Sequence, residues 1–144
     1  MRTLSLMVPL WFFSVTVLAA PLAASKASDL RGALDDLTLA AANNGYQLVK
    51  VQPIDHALVK RGYANPRIRL AFIGKAGQVD QAMAANPALI NILPLRLSLT
   101  EEADQVRVES DNLAAWEGIS PETAELVRVW ERELALILAD YLWE

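Results

Sequence analysis

The 144-residue chain contains no cysteine and a single histidine. The first absence excludes disulfides, zinc–thiolate sites, iron–sulfur clusters and thiol nucleophiles. The second excludes a multi-histidine metal site within one chain. No glycine-rich dinucleotide fingerprint, Walker loop or Gly-x-Ser-x-Gly elbow is present. A net charge of −4, with basic residues not interleaved with aromatics, argues against nucleic acid as a partner. No internal repeat or low-complexity segment interrupts the chain, whose length suits one domain.

What is plentiful is apolar sequence, 53% of residues, much of it at the start. Arg2 precedes a nearly unbroken apolar run from Leu4 to Leu18, followed by Ala19-Ala20-Pro21-Leu22-Ala23-Ala24-Ser25. A basic start, an apolar core and a small-residue zone form the layout of a secretory signal peptide. Cleavage fits after Ala19, Ala24 or Ala27, and Ala24 is favoured. Residues 1–24 are therefore read as a signal peptide and 25–144 as one domain, periplasmic or secreted. The alternative is an uncleaved anchor, which would tether an interaction domain to a membrane; Pro9, Pro21 and several hydroxyls weaken it.

Charge is unevenly placed. Residues 43–100 hold seven basic side chains (Lys50, Lys60, Arg61, Arg67, Arg69, Lys75, Arg96) against Asp55 and Asp80. Residues 101–144 hold twelve acids against Arg107, Arg128 and Arg132. The two halves either pair across the fold or leave a basic face, with Arg67, Arg69 and Arg96 as its candidates, for an anionic ligand or an acidic protein partner.

The periodicities predict an order α–β–α–β–α–β–β–α. Ser25 to Ala27 reads as a linker, and Ser28 as the N-cap of a helix whose inner face is Leu30, Ala33, Leu34, Leu37, Ala40 and Ala41. A bulged strand over 46–52 ends at Pro53. Asp55 caps a short helix over 56–62, with Ala57, Leu58 and Val59 inward. In the strand 67–73, Ile68, Leu70 and Phe72 are read as core, with Arg67, Arg69 and Ala71 outside. Residues 74–77 form a tight turn. The helix 78–85 turns Val79, Ala82 and Met83 inward. Strands over 94–101 and 105–110 flank a turn at Glu101–Asp104. Ser120-Pro121-Glu122 starts a helix over 120–142, whose stripe is Val127, Trp130, Leu134, Ile137 and Tyr141, widened by Leu138 and Leu142. The class that results is α+β, two layers, with about four antiparallel strands and helices on one face.

Few residues suggest chemistry. His56 beside Asp55 is the one pair worth weighing. It is either a helix start or a general base, metal ligand or haem ligand with Asp55 as its orienter. The second option would make a small redox or metal-linked protein, while no cofactor is indicated by any motif. The adjacent acids Asp35-Asp36, Glu101-Glu102 and Glu131/Glu133 read as solvated surface, since neighbours in sequence do not face each other across a cleft. Trp116 and Trp130 read as core or interface anchors. Tyr141-Leu142-Trp143 leaves much apolar surface at the terminus, suited to a sheet edge or a dimer seam.

Ile54-Asp55-His56-Ala57, Phe72-Ile73-Gly74, the helix with Met83, Leu93-Pro94-Leu95-Arg96 and the acidic turn Glu101-Glu102 together resemble the domain-of-unknown-function 302 family over residues 46–112. Arg96 stands where that family has lysine. Lys75-Ala76 replaces its Asn-Pro, Gly77 to Met83 departs from its usual helix start, and its Arg-His pair after the fourth strand is absent, with Trp116-Glu117 nearby. The resemblance implies a TATA-box-binding-protein-like α+β fold and a tendency to dimerise. It implies no activity. The reading that results is an exported, non-catalytic ligand- or partner-binding domain, acting as a homodimer.

Overall fold

A computed structural model describes residues 21–144; the apolar run and basic start of the signal-peptide expectation lie outside them. Five antiparallel strands form one sheet in the order β1-β5-β4-β3-β2. They are β1 (Ala23–Ala27), β2 (Gln47–Val51), β3 (Ile68–Gly74), β4 (Leu95–Glu102) and β5 (Gln105–Ser110). Four α-helices join them: α1 (Leu30–Asn43), α2 (His56–Lys60), α3 (Gln78–Ala85) and α4 (Pro121–Trp143). Two 3-10 helices, Pro87–Ile92 and Leu113–Trp116, complete the order.

The fifth strand is the one the sequence reading missed. Ala23 to Ala27 pairs with Glu109 to Gln105 and is not a linker. Four of its five residues are small and none is β-branched, so propensity is silent there. The partner strand decides the matter, because Ala24 and Lys26 sit opposite the buried Val108 and Val106.

The core lies between one face of the sheet and α1 and α4. Leu95, Leu97 and Leu99 of β4, Val106 and Val108 of β5 and Ala71 and Ile73 of β3 meet Leu37, Val127, Trp130, Leu134 and Ile137 there. Helix α1 starts from Asp29, whose Oδ1 accepts the Gly32 amide at 2.7 Å, rather than from Ser28. Its predicted inner face is correct. Gly45, at φ 78°, turns the chain into β2, a conformation glycine adopts without steric cost. Asn44 fastens this corner by donating to Asp140 Oδ2 at 2.6 Å and to the Ala40 carbonyl at 2.8 Å. Ser120 caps α4 by accepting the Thr123 amide at 3.1 Å. The five-residue stripe of α4 is buried throughout, whereas Leu142 is exposed.

The β3 face is reversed relative to expectation, and α3 keeps Ala82 inward as expected but not Val79 and Met83. In β3 the buried residues are Ala71 and Ile73, so Ile68, Leu70 and Phe72 lie on the face away from the helices. The register explains it, since Ala71 and Ile73 stand opposite Leu97 and Leu95, while Phe72 stands opposite Arg96. A one-residue change of parity moves a whole strand face, and alternation alone does not say which parity is inside. In α3, Gln78 and Ala82 are buried; Val79 and Met83 are 50% and 48% exposed. The helix is short and sits at the sheet's end, where only one line of residues reaches the core.

Candidate functional site

A concavity lies at the β2 edge, beside α3. It encloses about 550 Å³, within the range of small-molecule sites. Each wall has a local cause. The pairing of β2 with β3 shifts register between Leu48 and Lys50, so Val49 is an unpaired extra residue whose side chain turns outward to form one wall. Val79, on the exposed side of α3, and Ile90, on the first 3-10 helix, supply others. Gly74 and Pro94 form the floor, and Lys75 and Gln78 contribute the main polar groups.

Those polar groups belong to a cluster that continues behind the cleft. Lys75 forms an ion pair with Glu133 of α4, and the Tyr46 hydroxyl donates to the same carboxylate. The Lys75 ammonium stands 5.3 Å from the centre of the Tyr46 ring, near enough for a cation–π contact. Burial pushes the Tyr46 phenol far above its ordinary pKa, and its bond to the Glu133 carboxylate pushes it further. It is therefore a donor at every physiological pH, not an acid or base. Gln78, only 3% exposed, offers its side-chain oxygen to the Lys75 amide at 3.4 Å and its amide to the Tyr46 hydroxyl at 3.5 Å. The reading of Glu133 as solvated surface is thus corrected: α4 presents it to the β2–α3 corner. No spacing rule links Tyr46, Lys75 and Glu133, which lie 87 and 58 residues apart from one another across the chain.

A model of the family described as Domain of unknown function DUF302 matches residues 23–139. The chain belongs to that family. A crystal structure of an uncharacterized conserved DUF302 protein from Bacillus stearothermophilus superposes with a TM-score of 0.73. The two are 13% identical, and the match covers 83% of this chain and 96% of that one, so the likeness is one of fold. No curated protein matches. The family match reaches well beyond residues 46–112 and takes in β1 and most of α4.

Of the residues that carry the DUF302 resemblance, Gly74, Leu93 and Pro94 line the cleft, whereas Asp55, His56 and Met83 do not. Asp55 caps α2, its Oδ1 accepting the Ala57 amide at 2.8 Å and the Leu58 amide at 3.2 Å. That carboxylate faces backbone, the arrangement of a helix start. His56 is exposed, and α2 buries none of its residues, contrary to the inward face expected of Ala57, Leu58 and Val59. Among the described residues, no three metal-ligating side chains gather at one place. A smaller groove of about 250 Å³ runs between this segment and Ile68 and Leu70 on the open sheet face.

The three basic-face candidates do not share a face. Arg69 stands opposite the buried Leu99 and bonds to the carbonyls of Pro66 and Ile68, at 2.7 and 3.0 Å. Arg96 lies on the open face and is paired with Asp111 at 2.8 Å. Arg67 precedes the strand and is exposed. Charge pairing across the fold is what the structure displays: Lys75–Glu133 and Arg96–Asp111 each join the basic middle to the acidic end.

A second acid departs from the solvated reading. Burial raises the Glu131 pKa, and a hydrogen bond shared with Glu117 and that residue's charge raise it further, against the opposing charge of Arg128. A carboxyl raised in the fold binds its proton more tightly there than when unfolded. Its effect on stability is absent below the ordinary value of 4.5 and becomes a penalty as pH rises through the raised value. Glu131→Gln should therefore stabilise at pH 7 by on the order of 0.5 kcal/mol, since the group is partly solvated. The gain should vanish near pH 4, as checked by urea unfolding at the two pH values.

Proposed function

We propose that this DUF302 member is an exported, non-catalytic ligand-binding domain that acts as a homodimer. The observation that carries the reading is the cleft between β2 and α3. Among the residues lining it there is one amine and two amides, with no hydroxyl, imidazole or carboxylate. Apolar walls with a few oriented polar groups suit capture of a ligand. They do not supply a nucleophile matched to a base.

Export rests on the layout of the first 24 residues. The position of β1 bears on where cleavage falls. Ala24 is 8% exposed and sits within the strand, and cleavage after Ala27 would remove the strand. Cleavage after Ala19 leaves it whole, so that site is now preferred over Ala24. Dimerisation rests on apolar surface at the outer side of α4. Leu136, Leu142 and the 89% exposed Trp143 lie there, and Leu142 borders a groove with Leu22 and Ala24 at the β1 edge. Helix α4 is not a membrane span: among the described residues no helix is long and apolar enough to cross a bilayer.

Native mass spectrometry of the protein recovered from the periplasm tests the whole reading. A dimer with an N-terminus near Ala20, carrying or accepting a small-molecule mass, is the expected result, with Trp143→Ser shifting it toward monomer. A strict monomer that retains no ligand or partner removes the proposal.

A further inference from the structure

We propose that the β2–α3 cleft receives a small anionic amphiphile, a carboxylate on a single apolar tail, with Lys75 as its charge partner. This rests on the ligand-binding reading above and assigns the ligand's chemical class. The tail follows from the walls: Val49, Val79, Ile90 and Pro94 present carbon, and burying a chain of methylenes against them is the main source of affinity. The head group follows from charge. Lys75 is the only ionisable residue among those lining the cleft, while its partner Glu133 stands behind it and lines none of the cleft. A cationic ligand would meet the Lys75 ammonium, and no carboxylate is among the residues lining the cleft.

Lys75 has capacity for such a ligand. An ammonium carries three donors, and among the described residues its one charged partner is Glu133. Glu133 in turn is shared between Lys75 and the Tyr46 hydroxyl, which disperses its charge away from the cleft. The Lys75 side chain is 26% exposed, so part of it remains open to a ligand. Its stem is fixed by the turn before α3 and its head by the Tyr46 ring, so little side-chain entropy remains to be lost on binding.

Gly74 gives a way to close the cleft without disturbing the core. A Cβ there would lie 3.8 Å from Val49 Cγ1, 3.8 Å from Gln78 Oε1 and 4.0 Å from Pro94 Cβ. These are ordinary contacts, all with lining residues, so a branched side chain at 74 grows into the cleft. Its φ is not in the left-handed region, so the substitution carries no backbone strain.

The test is calorimetric titration of the processed protein with octanoate, 1-octanol and octylamine below their aggregation limits. Octanoate should bind about tenfold more tightly than octanol, with octylamine weakest. Lys75→Met should reduce octanoate to the level of octanol, Lys75→Arg should preserve the difference, and Gly74→Val should abolish binding of all three. Val79→Glu, at an exposed helix position, should weaken octanoate selectively and serves if Gly74→Val fails to fold. Equal affinity for octanoate and octanol, unchanged by Lys75→Met, overturns the head-group assignment and leaves ligand binding standing. No binding of any probe overturns both. Binding only above the micellar concentration, or only to phosphatidylglycerol vesicles, also overturns the proposal, because it would mean a surface and not a cleft.

Discussion

Trp130→Ala should destabilise the fold by about 4 kcal/mol, a large part of the roughly 5–15 kcal/mol that holds a domain together. Trp130 is fully buried, and lies among the residues that α4 sets against the sheet. Its removal leaves a void in the middle of the helix–sheet interface, bounded by elements too constrained to collapse into it. Equilibrium urea unfolding followed by far-ultraviolet circular dichroism measures the loss. A loss below about 1.5 kcal/mol would mean that the core repacks readily. Trp130→Phe makes the comparison sharper. The indole Nε1 has no hydrogen-bond partner among the described residues, so the phenyl ring gives up volume but also removes a buried donor that water would otherwise satisfy. It should cost well under half as much as alanine.

Removing β1 should be comparably damaging. A chain beginning at Ser28 should lose on the order of 3–5 kcal/mol relative to one beginning at Pro21. The strand contributes its ladder with β5, which Leu22 just before it extends to the last residue of β5: the Ser110 amide donates to the Leu22 carbonyl at 2.9 Å, and Ser110 Oγ accepts the Leu22 amide at 3.2 Å. It also brings Lys26, which pairs with Asp36 at 2.6 Å and lies 4.7 Å over the Tyr141 ring. Tyr141 is held by burial, with its phenol pushed up to about 12, and donates to the Val106 carbonyl at 3.2 Å. Without β1 this end of α4 loses its cover, and β5 becomes an unprotected edge prone to association. Size-exclusion chromatography beside the unfolding curve reads both effects. Equal stability of the two chains would show that β1 is dispensable.

Where the sequence was legible, one principle dominated at a time. The stripe of α4 and the alternation of β4 are long and strongly periodic, so burial and period agree. Asp55 and Ser120 announce helix starts because a short polar side chain before an apolar run satisfies amides that nothing else reaches. Elsewhere the deciding force was tertiary. The parity of β3 depends on its register with β4: Ile68-Leu70-Phe72 has greater apolar bulk than Ala71 and Ile73, yet faces outward. The pattern assigns Val79 and Met83 to the inner face of α3, but the helix is anchored through Gln78 and Ala82. The cleft was invisible for the same reason. It needs Val49 from a bulge, Lys75 from a turn and Ile90 from a 3-10 helix, and no local pattern relates them. Its supporting carboxylate, Glu133, looks like any surface acid until α4 is laid beside α3.

The bulge at Leu48 and Lys50 has a consequence for assembly as well as for the cleft. β2 is an edge strand, and its pairing rhythm is broken midway. A neighbouring chain approaching that side would find donors and acceptors out of step and Val49 in the way. Continuous sheet growth across that border is therefore obstructed. The same irregularity that opens a small cavity also discourages strand-by-strand association along this flank, in contrast to the β1 border, whose pairing with β5 runs without a break.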